Sequence, residues 1–369
     1  MMKSRWLSAL LLTGMTTGML LGGSALIAQT ADPAAPALAT DSNEDVYFRN
    51  VPGARKVAVI ITGAAASDEI KTRFRQWSMA LHDLLSKDYG YSEETITLLV
   101  DDGEAFTAEG AEPNFRVDGS SRREDIEAAM TDLSEQVRPG DQVTVILIGH
   151  GARSDSGSEE DAKFNIVGPD MTGREFARLL EPFNEPDLVV INTTSASYEF
   201  SAALSAPGRV ILSATRSAAE RYDPMFTAYL IDALDQRQGD RDKNGRVSVL
   251  EAYTYASQSV IGWYRDQGRL PTERAVLDDN GDAVFSLEPA SGAGDGGLAE
   301  IAYLDIASTG QQKASAEAQQ LFTEMQDLER SVFLLRGQKA NYLEAEYWDR
   351  LETLLVELAR KTGRYNELP

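Results

Sequence analysis

The chain has only two histidines in 369 residues. One of them, His150, stands between glycines in Gly149–His150–Gly151, at the tip of the apolar run QVTVILIGHG (Gln142–Gly151). Flanking glycines let another backbone or a ligand approach closely, and a strand-end imidazole suits proton transfer near neutral pH. Forty-three positions after Gly151, a second apolar run, DLVVINTT, ends in Thr194 and is followed by Ser195. An α/β fold commonly presents its nucleophile at such a strand end. A hydroxyl works as a nucleophile only when a base is hydrogen-bonded to it and a third group orients that base. The chain contains no cysteine, which excludes thiol catalysis and Cys-ligated metal sites. The other histidine, His82, falls within an expected helix and reads as a surface or boundary residue.

A second constellation is DRDKNGRVSVLE, Asp240 to Glu251. It fits the twelve-residue calcium loop: Asp240, Asp242 and Asn244 at positions 1, 3 and 5, and Gly245 at the sharp turn. The Arg246 carbonyl falls at position 7, Ser248 at 9, and Glu251, able to bind bidentately, at 12. Helices are expected on both sides, over Pro224–Gln236 and from Val249 onward. Two readings stand, a structural Ca2+ site and a metal-free turn. In LDDNGDA (Leu277–Ala283), Asp278, Asn280 and Asp282 also alternate, but Asn280-Gly281 is foremost a hairpin turn.

The elements that must position these residues follow from periodicity. Strands are expected at Lys56–Ala65, Thr95–Asp102, Gln142–Gly151, DLVVINTT and GRVILSAT, with a short extended insertion at Lys163–Gly168. Asp68–Asp88 is helical by the spacing of Ile70, Phe74, Trp77, Leu81 and Leu84. Ser121–Arg138 is helical, opened by a capping box Ser121-x-x-Glu124, and Gly173–Phe183 is a further helix. Continuous apolar strands alternating with amphipathic helices predict a three-layer α/β/α fold on a mainly parallel sheet. Ligands in such sheets bind at the carboxyl ends of the strands, where both His150 and Thr194 fall. Near the C-terminus, Leu321, Met325, Leu328, Val332 and Leu335, then Tyr347, Leu351, Leu354 and Leu358, predict a helical hairpin with a narrow apolar seam. It is either a cap closed on itself or the main domain, or a coiled coil that binds a partner.

The order of these motifs, over roughly residues 54–285, resembles the caspase/legumain group of cysteine peptidases in its secreted bacterial branch. The likeness rests on the strand ending in Gly-His-Gly, the strand ending at Thr194, NIVGPDMTG, ILSATRSAAE, the 240–251 loop and LDDNGD. The family's second motif is usually Asp-Ala-Cys-x-Ser-Gly. Here Asn192 stands for the Asp, Thr193 for the Ala and Thr194 for the Cys, so the nucleophilic sulfur is replaced. The resemblance implies that His150 is the catalytic histidine and that Gly151 supplies an oxyanion-type backbone N–H. It places Arg216 and Glu220 where the family builds its first specificity pocket, though a solvated loop is the alternative. Ser195 is expected on the wrong side of the turn to substitute simply for the thiol. The implied reading is a pseudoenzyme acting in binding or scaffolding. The alternative is a hydrolase using Thr194 or Ser195 with His150.

The formal net charge of −23 makes nucleic acids and anionic membranes poor partners, and cations or basic peptides better ones. Lys3 and Arg5, the apolar Leu7–Leu21 and the small residues up to Ala31 read as a secretory signal, with cleavage expected after Ala28. An uncleaved anchor is the alternative. No later run approaches ~20 apolar residues, so no span is expected in the mature chain. Organisation therefore reads as signal peptide 1–28, flexible linker 29–53, caspase/legumain-like domain 54–290, linker 291–312 and hairpin 313–369. The protein is expected to be exported to the periplasm or beyond, and to meet a protein or peptide partner through the cleft or the hairpin.

Overall fold

The computed structural model describes residues 47–49, 54–104, 116–155, 158, 161–183, 187–290, 294–305 and 315–368. The expected signal peptide and most of the expected linker at 29–53 lie outside them. The main strands are β1 (Lys56–Thr62), β2 (Ile96–Val100) and β3 (Gln142–Ile148), with short β4 (Gly151–Ala152), β5 (Lys163–Phe164) and β6 (Met171–Thr172). They continue with β7 (Asp187–Asn192), β8 (Arg209–Ser213) and β9 (Val276–Asp278). Helices α1 (Asp68–Lys87), α2 (Arg123–Gln136), α3 (Gly173–Leu180) and α4 (Tyr198–Ala202) precede α5 (Phe226–Leu234) and α6 (Val249–Asp266). Last come α7 (Gly297–Ile301), α8 (Ala316–Gly337) and α9 (Glu344–Glu367).

The protein is α/β, with a central sheet ordered β2-β1-β3-β7-β8-β9. Its pairings are parallel except the antiparallel β8–β9 pair at the edge. Because side chains alternate along a strand, β3 feeds two cores. Val143, Val145 and Leu147 pack with Ile126, Met130, Phe176 and Phe200 on one face. Ile146 and Ile148 join Phe74, Leu81, Phe226 and Leu230 on the other. Helices α2, α3 and α4 therefore cover one face, and α1, α5, α6 and α7 the other. Among the described residues, no helix is long and apolar enough to cross a membrane.

Several local expectations are corrected. The capping box at Ser121 does not form. The Ser121 hydroxyl donates to the Asp101 carbonyl at 3.2 Å, and the Ser120 amide donates to Asp125 Oδ2 at 2.8 Å, so α2 starts at Arg123. Boxes at Thr172–Glu175 and Ser248–Glu251 do form. His82 is buried, 6 % exposed, with Nε2 3.6 Å from Glu93. The stretch 291–312 is not simply a linker: α7 buries Leu298, Ala299 and Ile301, and Asp295 and Asp305 are buried around it. Phe48, near the end of the expected 29–53 linker, belongs to the core.

The hairpin forms as the seam predicts, with Val332, Leu335, Tyr347 and Leu351 clustered between α8 and α9. It also docks on the main domain. Phe333 enters the α1/α5/α6 core, Arg336 pairs with Glu300 at 2.6 Å, and Arg330 donates to the Tyr47 carbonyl at 3.1 Å.

Candidate functional site

The carboxyl ends of β1, β3 and β7 converge on the Gly-His-Gly tip. Gly149 takes φ +151, and the Gly63 amide donates to the Ile148 carbonyl at 2.8 Å. The small sheet β4-β5-β6 folds over these ends: Gly151 pairs with Phe164, and the Asn165 amide donates to the His150 carbonyl at 3.0 Å. A Cβ on Gly151 would lie 2.4 Å from the Ser195 carbonyl oxygen. Glycine at 151 is therefore a packing necessity wherever this turn exists.

The hydroxyls divide in an unexpected way. Thr193 donates to the Leu147 carbonyl at 2.8 Å, and Thr194 donates to Asn192 Oδ1 at 2.7 Å. Thr194, in the position matched to the thiol, thus turns back into the protein. Asn192 in turn donates to Ser201 Oγ at 3.0 Å. Ser195, expected on the wrong side, is the hydroxyl that meets the histidine, with Oγ 3.5 Å from His150 Nδ1. The left-handed Ala196 (φ +49) turns the chain just after it.

A working Ser–His–Asp relay uses opposite imidazole nitrogens, one toward the hydroxyl and one toward the carboxylate. Here Asp223 Oδ1 also lies 3.5 Å from Nδ1, while Nε2 is buried without a hydrogen-bond partner. The Gly151 amide, the expected oxyanion donor, points at Ser195 Oγ itself, at 3.4 Å. Ser195 is 1 % exposed. His150 packs against Phe74, ring centroids 5.2 Å apart. Burial pushes its pKa below the ordinary imidazole value, with Asp223 opposing and Arg73 reinforcing the shift. Arg73 is ion-paired with Asp223. Neither Asp223 nor Arg73 stands out in the sequence, because nothing in their spacing ties them to His150.

Arg216 and Glu220 come together, but with each other. Glu220 accepts from the Arg216 amide at 2.9 Å and pairs with its Nε at 3.2 Å. It also accepts from the Arg274 amide at 3.0 Å, so it closes a turn and ties it to a neighbouring strand entry.

The 240–251 loop gathers the carboxylates of Asp240, Asp242 and Glu251, with one ligand oxygen of each within 4.8 Å of the others. Gly245 takes φ +85, and its amide donates to Asp240 Oδ2 at 3.0 Å. The other Asp240 oxygen, Oδ1, is buried and accepts no hydrogen bond; the residue is only 9 % exposed. An orphaned buried carboxylate oxygen in an oxygen-rich loop fits a hard cation such as Ca2+. Burial, then neighbouring Glu251, pushes the Asp242 carboxyl up to about 7.

One expected ligand, Ser248, has another task, and the Arg246 side chain points away while its carbonyl keeps position 7. The Ser248 hydroxyl caps α6, donating to Glu251 Oε2 at 3.0 Å and accepting from the Glu251 amide at 3.2 Å. The Arg246 side chain leaves the loop for a buried pair with Asp305 at 2.8 Å, leaving only its carbonyl for position 7. Asn244 reaches out of the loop: its amide nitrogen lies 3.1 Å from Tyr303 Oη and 3.3 Å from Glu329 Oε1. Glu329 sits 78 positions beyond Glu251 on a helix with its own period, so the sequence gives it no link to this loop.

The second acidic group, Asp278, Asp282 and Asp295, differs. Asp278 Oδ1 accepts from the Gly281 amide at 3.2 Å, Asp282 Oδ1 from the Val284 amide at 2.8 Å, and Asp295 Oδ1 from the Asp279 amide at 3.2 Å. None of these carboxylates carries a buried orphan oxygen. With Gly281 at φ +81 and Leu277 bridged to Ser286, this is the expected turn.

No protein-family model and no curated protein matches the chain. Among solved structures, it is similar to protein GSU0716 from Geobacter sulfurreducens at 12 % identity, over 56 % of this chain and 89 % of that one, with a TM-score of 0.36. A likeness that distant carries no argument about activity.

Proposed function

We propose that this chain is an exported, catalytically silent relative of the caspase/legumain peptidases, acting in binding or scaffolding and stabilised by a structural Ca2+ in the 240–251 loop. The observation that carries the silent reading is the placement of Ser195. Its hydroxyl is buried, it occupies the Gly151 N–H that would hold an oxyanion, and it shares one imidazole nitrogen with Asp223. A scissile carbonyl has neither a free nucleophile nor a free donor to meet there. Support for the cation comes from the loop spacing and the orphaned Asp240 Oδ1. Partners of positive charge, meeting the cleft or the C-terminal hairpin, suit the net charge of −23.

The second reading, a hydrolase built on Ser195 and His150, is favoured only by their 3.5 Å approach. A fluorophosphonate probe and a peptide-library assay, run on wild type and His150→Ala, separate the two. No His150-dependent labelling or cleavage is expected; turnover that disappears in His150→Ala would overturn the silent reading.

A further inference from the structure

We propose that a divalent cation in the 240–251 loop locks the C-terminal hairpin onto the α/β domain through Asn244, Tyr303 and Glu329, so that cation binding and docking of α8 form one linked equilibrium. The proposal rests on the calcium reading of the loop and adds to it a conformational consequence.

The loop is wedged between two parts of the molecule. Its exit enters α6, which packs with α5 in the main core. Its outer side faces the segment that carries α7 and α8. The Asn244 amide nitrogen donates to Asp242 Oδ2 at 3.1 Å inside the loop, and outward to Tyr303 Oη at 3.1 Å and Glu329 Oε1 at 3.3 Å. Tyr303 Oη donates in turn to Glu329 Oε2 at 3.4 Å. The next contact along the loop is Arg246, whose guanidinium lies 3.8 Å over the Tyr303 ring and is held by Asp305. Ser248 then bridges Tyr303. Positions 5, 7 and 9 of one loop therefore all touch Tyr303, and Asn244 also reaches Glu329 on α8.

Groups that contact metal ligands from outside orient them and tune affinity. Asn244 is such a ligand by position; its amide nitrogen is shared among Asp242, Tyr303 and Glu329, and Oδ1, which accepts from the Arg246 amide at 2.8 Å, is the atom left to meet a cation. Charge gives the coupling its sign. Glu329 adds a fourth carboxylate one shared donor away from Asp242, beside a loop that already gathers three. Arg246 is paired with Asp305 and also attracts Glu329, so it offsets only part of this charge, and Lys243 donates to the Asp240 backbone carbonyl rather than to a carboxylate. Without a cation, the loop's carboxylates repel Glu329 and hence α8; a dication reverses that sign and draws Glu329 in. The buried Asp240 Oδ1 that accepts no hydrogen bond is the independent mark of a missing positive partner. Linkage is reciprocal, so docking α8 must also raise cation affinity.

The test uses the full chain with Ca2+ as the probe. Calorimetry of wild type and Asp240→Asn reports binding, and amide hydrogen exchange of residues 315–337 with Ca2+ or with chelator reports docking. The expected result is Asp240-dependent binding and α8 exchange slowed about tenfold by Ca2+, within the range usual for coupled sites. In Glu329→Gln, which keeps an acceptor for Asn244 but removes the charge, that Ca2+ effect is expected to shrink at least about threefold, with α8 better protected than wild type in chelator. Asp240-dependent binding with unchanged α8 exchange would overturn the coupling and leave the calcium loop standing. No heat of binding to wild type would overturn both. If Asp240→Asn fails to fold, wild-type calorimetry and Glu329→Gln exchange still decide.

Discussion

At the strand ends, the Ser195 hydroxyl, the Gly151 amide and His150 Nδ1 meet one another and the atom left without a partner is His150 Nε2, which can stay neutral, whereas in the 240–251 loop the orphan is a carboxylate oxygen, Asp240 Oδ1. Both places combine functional residue types at meaningful spacing; the strand ends are mostly buried, whereas in the loop Asp240 is buried, Glu251 half-buried and Asp242 exposed. They differ in where their polar capacity goes. A site whose hydroxyl and backbone amide are turned on each other offers a reacting carbonyl little, while one that keeps a costly unsatisfied carboxylate oxygen is stabilised by a cation that meets it. The contrast separates the two places more sharply than residue identity does. The Asp278–Asp282–Asp295 turn differs from the loop in one respect: backbone amides reach the carboxylates of both, but none of the turn's oxygens is a buried orphan.

The largest effect expected is at the loop's anchor. Arg246 and Asp305 have side chains each 5 % exposed, so Asp305→Ala leaves a buried guanidinium without its partner. Breaking such a pair costs about 3–5 kcal/mol. A fall in the urea midpoint at unchanged slope measures it. A loss under about 1 kcal/mol, the range of exposed pairs, would mean the loop is not rigidly tied at this junction. Next comes the cation. At a hundredfold excess over Kd, ligand linkage stabilises by about 2.7 kcal/mol, or roughly 5–10 °C for a domain of this size. A melting temperature indifferent to calcium and chelator would place the loop with the Asp278 turn as a metal-free structure.

Much of this was legible in the sequence, and the limits are physical. The parallel strands could be read because each is apolar on both faces, and the hairpin because its seam keeps one period. The calcium-type loop was legible because its ligands are local. What the sequence could not reveal is long-range and side-chain in scale. Asp223 meets His150 across 73 positions, and Glu329 meets Asn244 across 85. Ser195 was misplaced by a turn: left-handed Ala196 and the Asn192 bond to Thr194 decide which hydroxyl faces inward, and neither is encoded in residue spacing. The α7 segment was missed because five helical residues among glycines show no period.

At the strand ends, packing should matter more than chemistry. Gly151→Ala forces a Cβ to 2.4 Å from the Ser195 carbonyl, an overpacking that costs about 1–3 kcal/mol. Ser195→Ala removes two long hydrogen bonds, to the Gly151 amide and to His150 Nδ1, and should cost about 1 kcal/mol, with no change in any activity of the protein. Reversal of that order, with Ser195→Ala abolishing an activity while stability holds, would move the strand ends to the working side of the contrast.

The smallest effect tests His150 itself. Burial lowers its pKa while Asp223 pulls the other way, and burial is the larger cause. With the folded pKa below the ordinary value of 6.5, the unfolded chain binds the extra proton first as pH falls. The contribution of His150 is therefore complete above about 6.5 and declines as pH drops through that value toward the folded pKa. Carboxyls with raised pKa, Glu273 at about 7 among them, slope the other way, so the bare profile of the wild type does not isolate the histidine. The difference between wild type and His150→Gln does: the wild type should lose stability relative to the variant between pH 7.5 and pH 5. A difference of opposite sign would mean that Asp223 outweighs burial and holds an imidazolium. His150 would then be a charged, carboxylate-paired group, and the strand ends would need reading as a poised site after all.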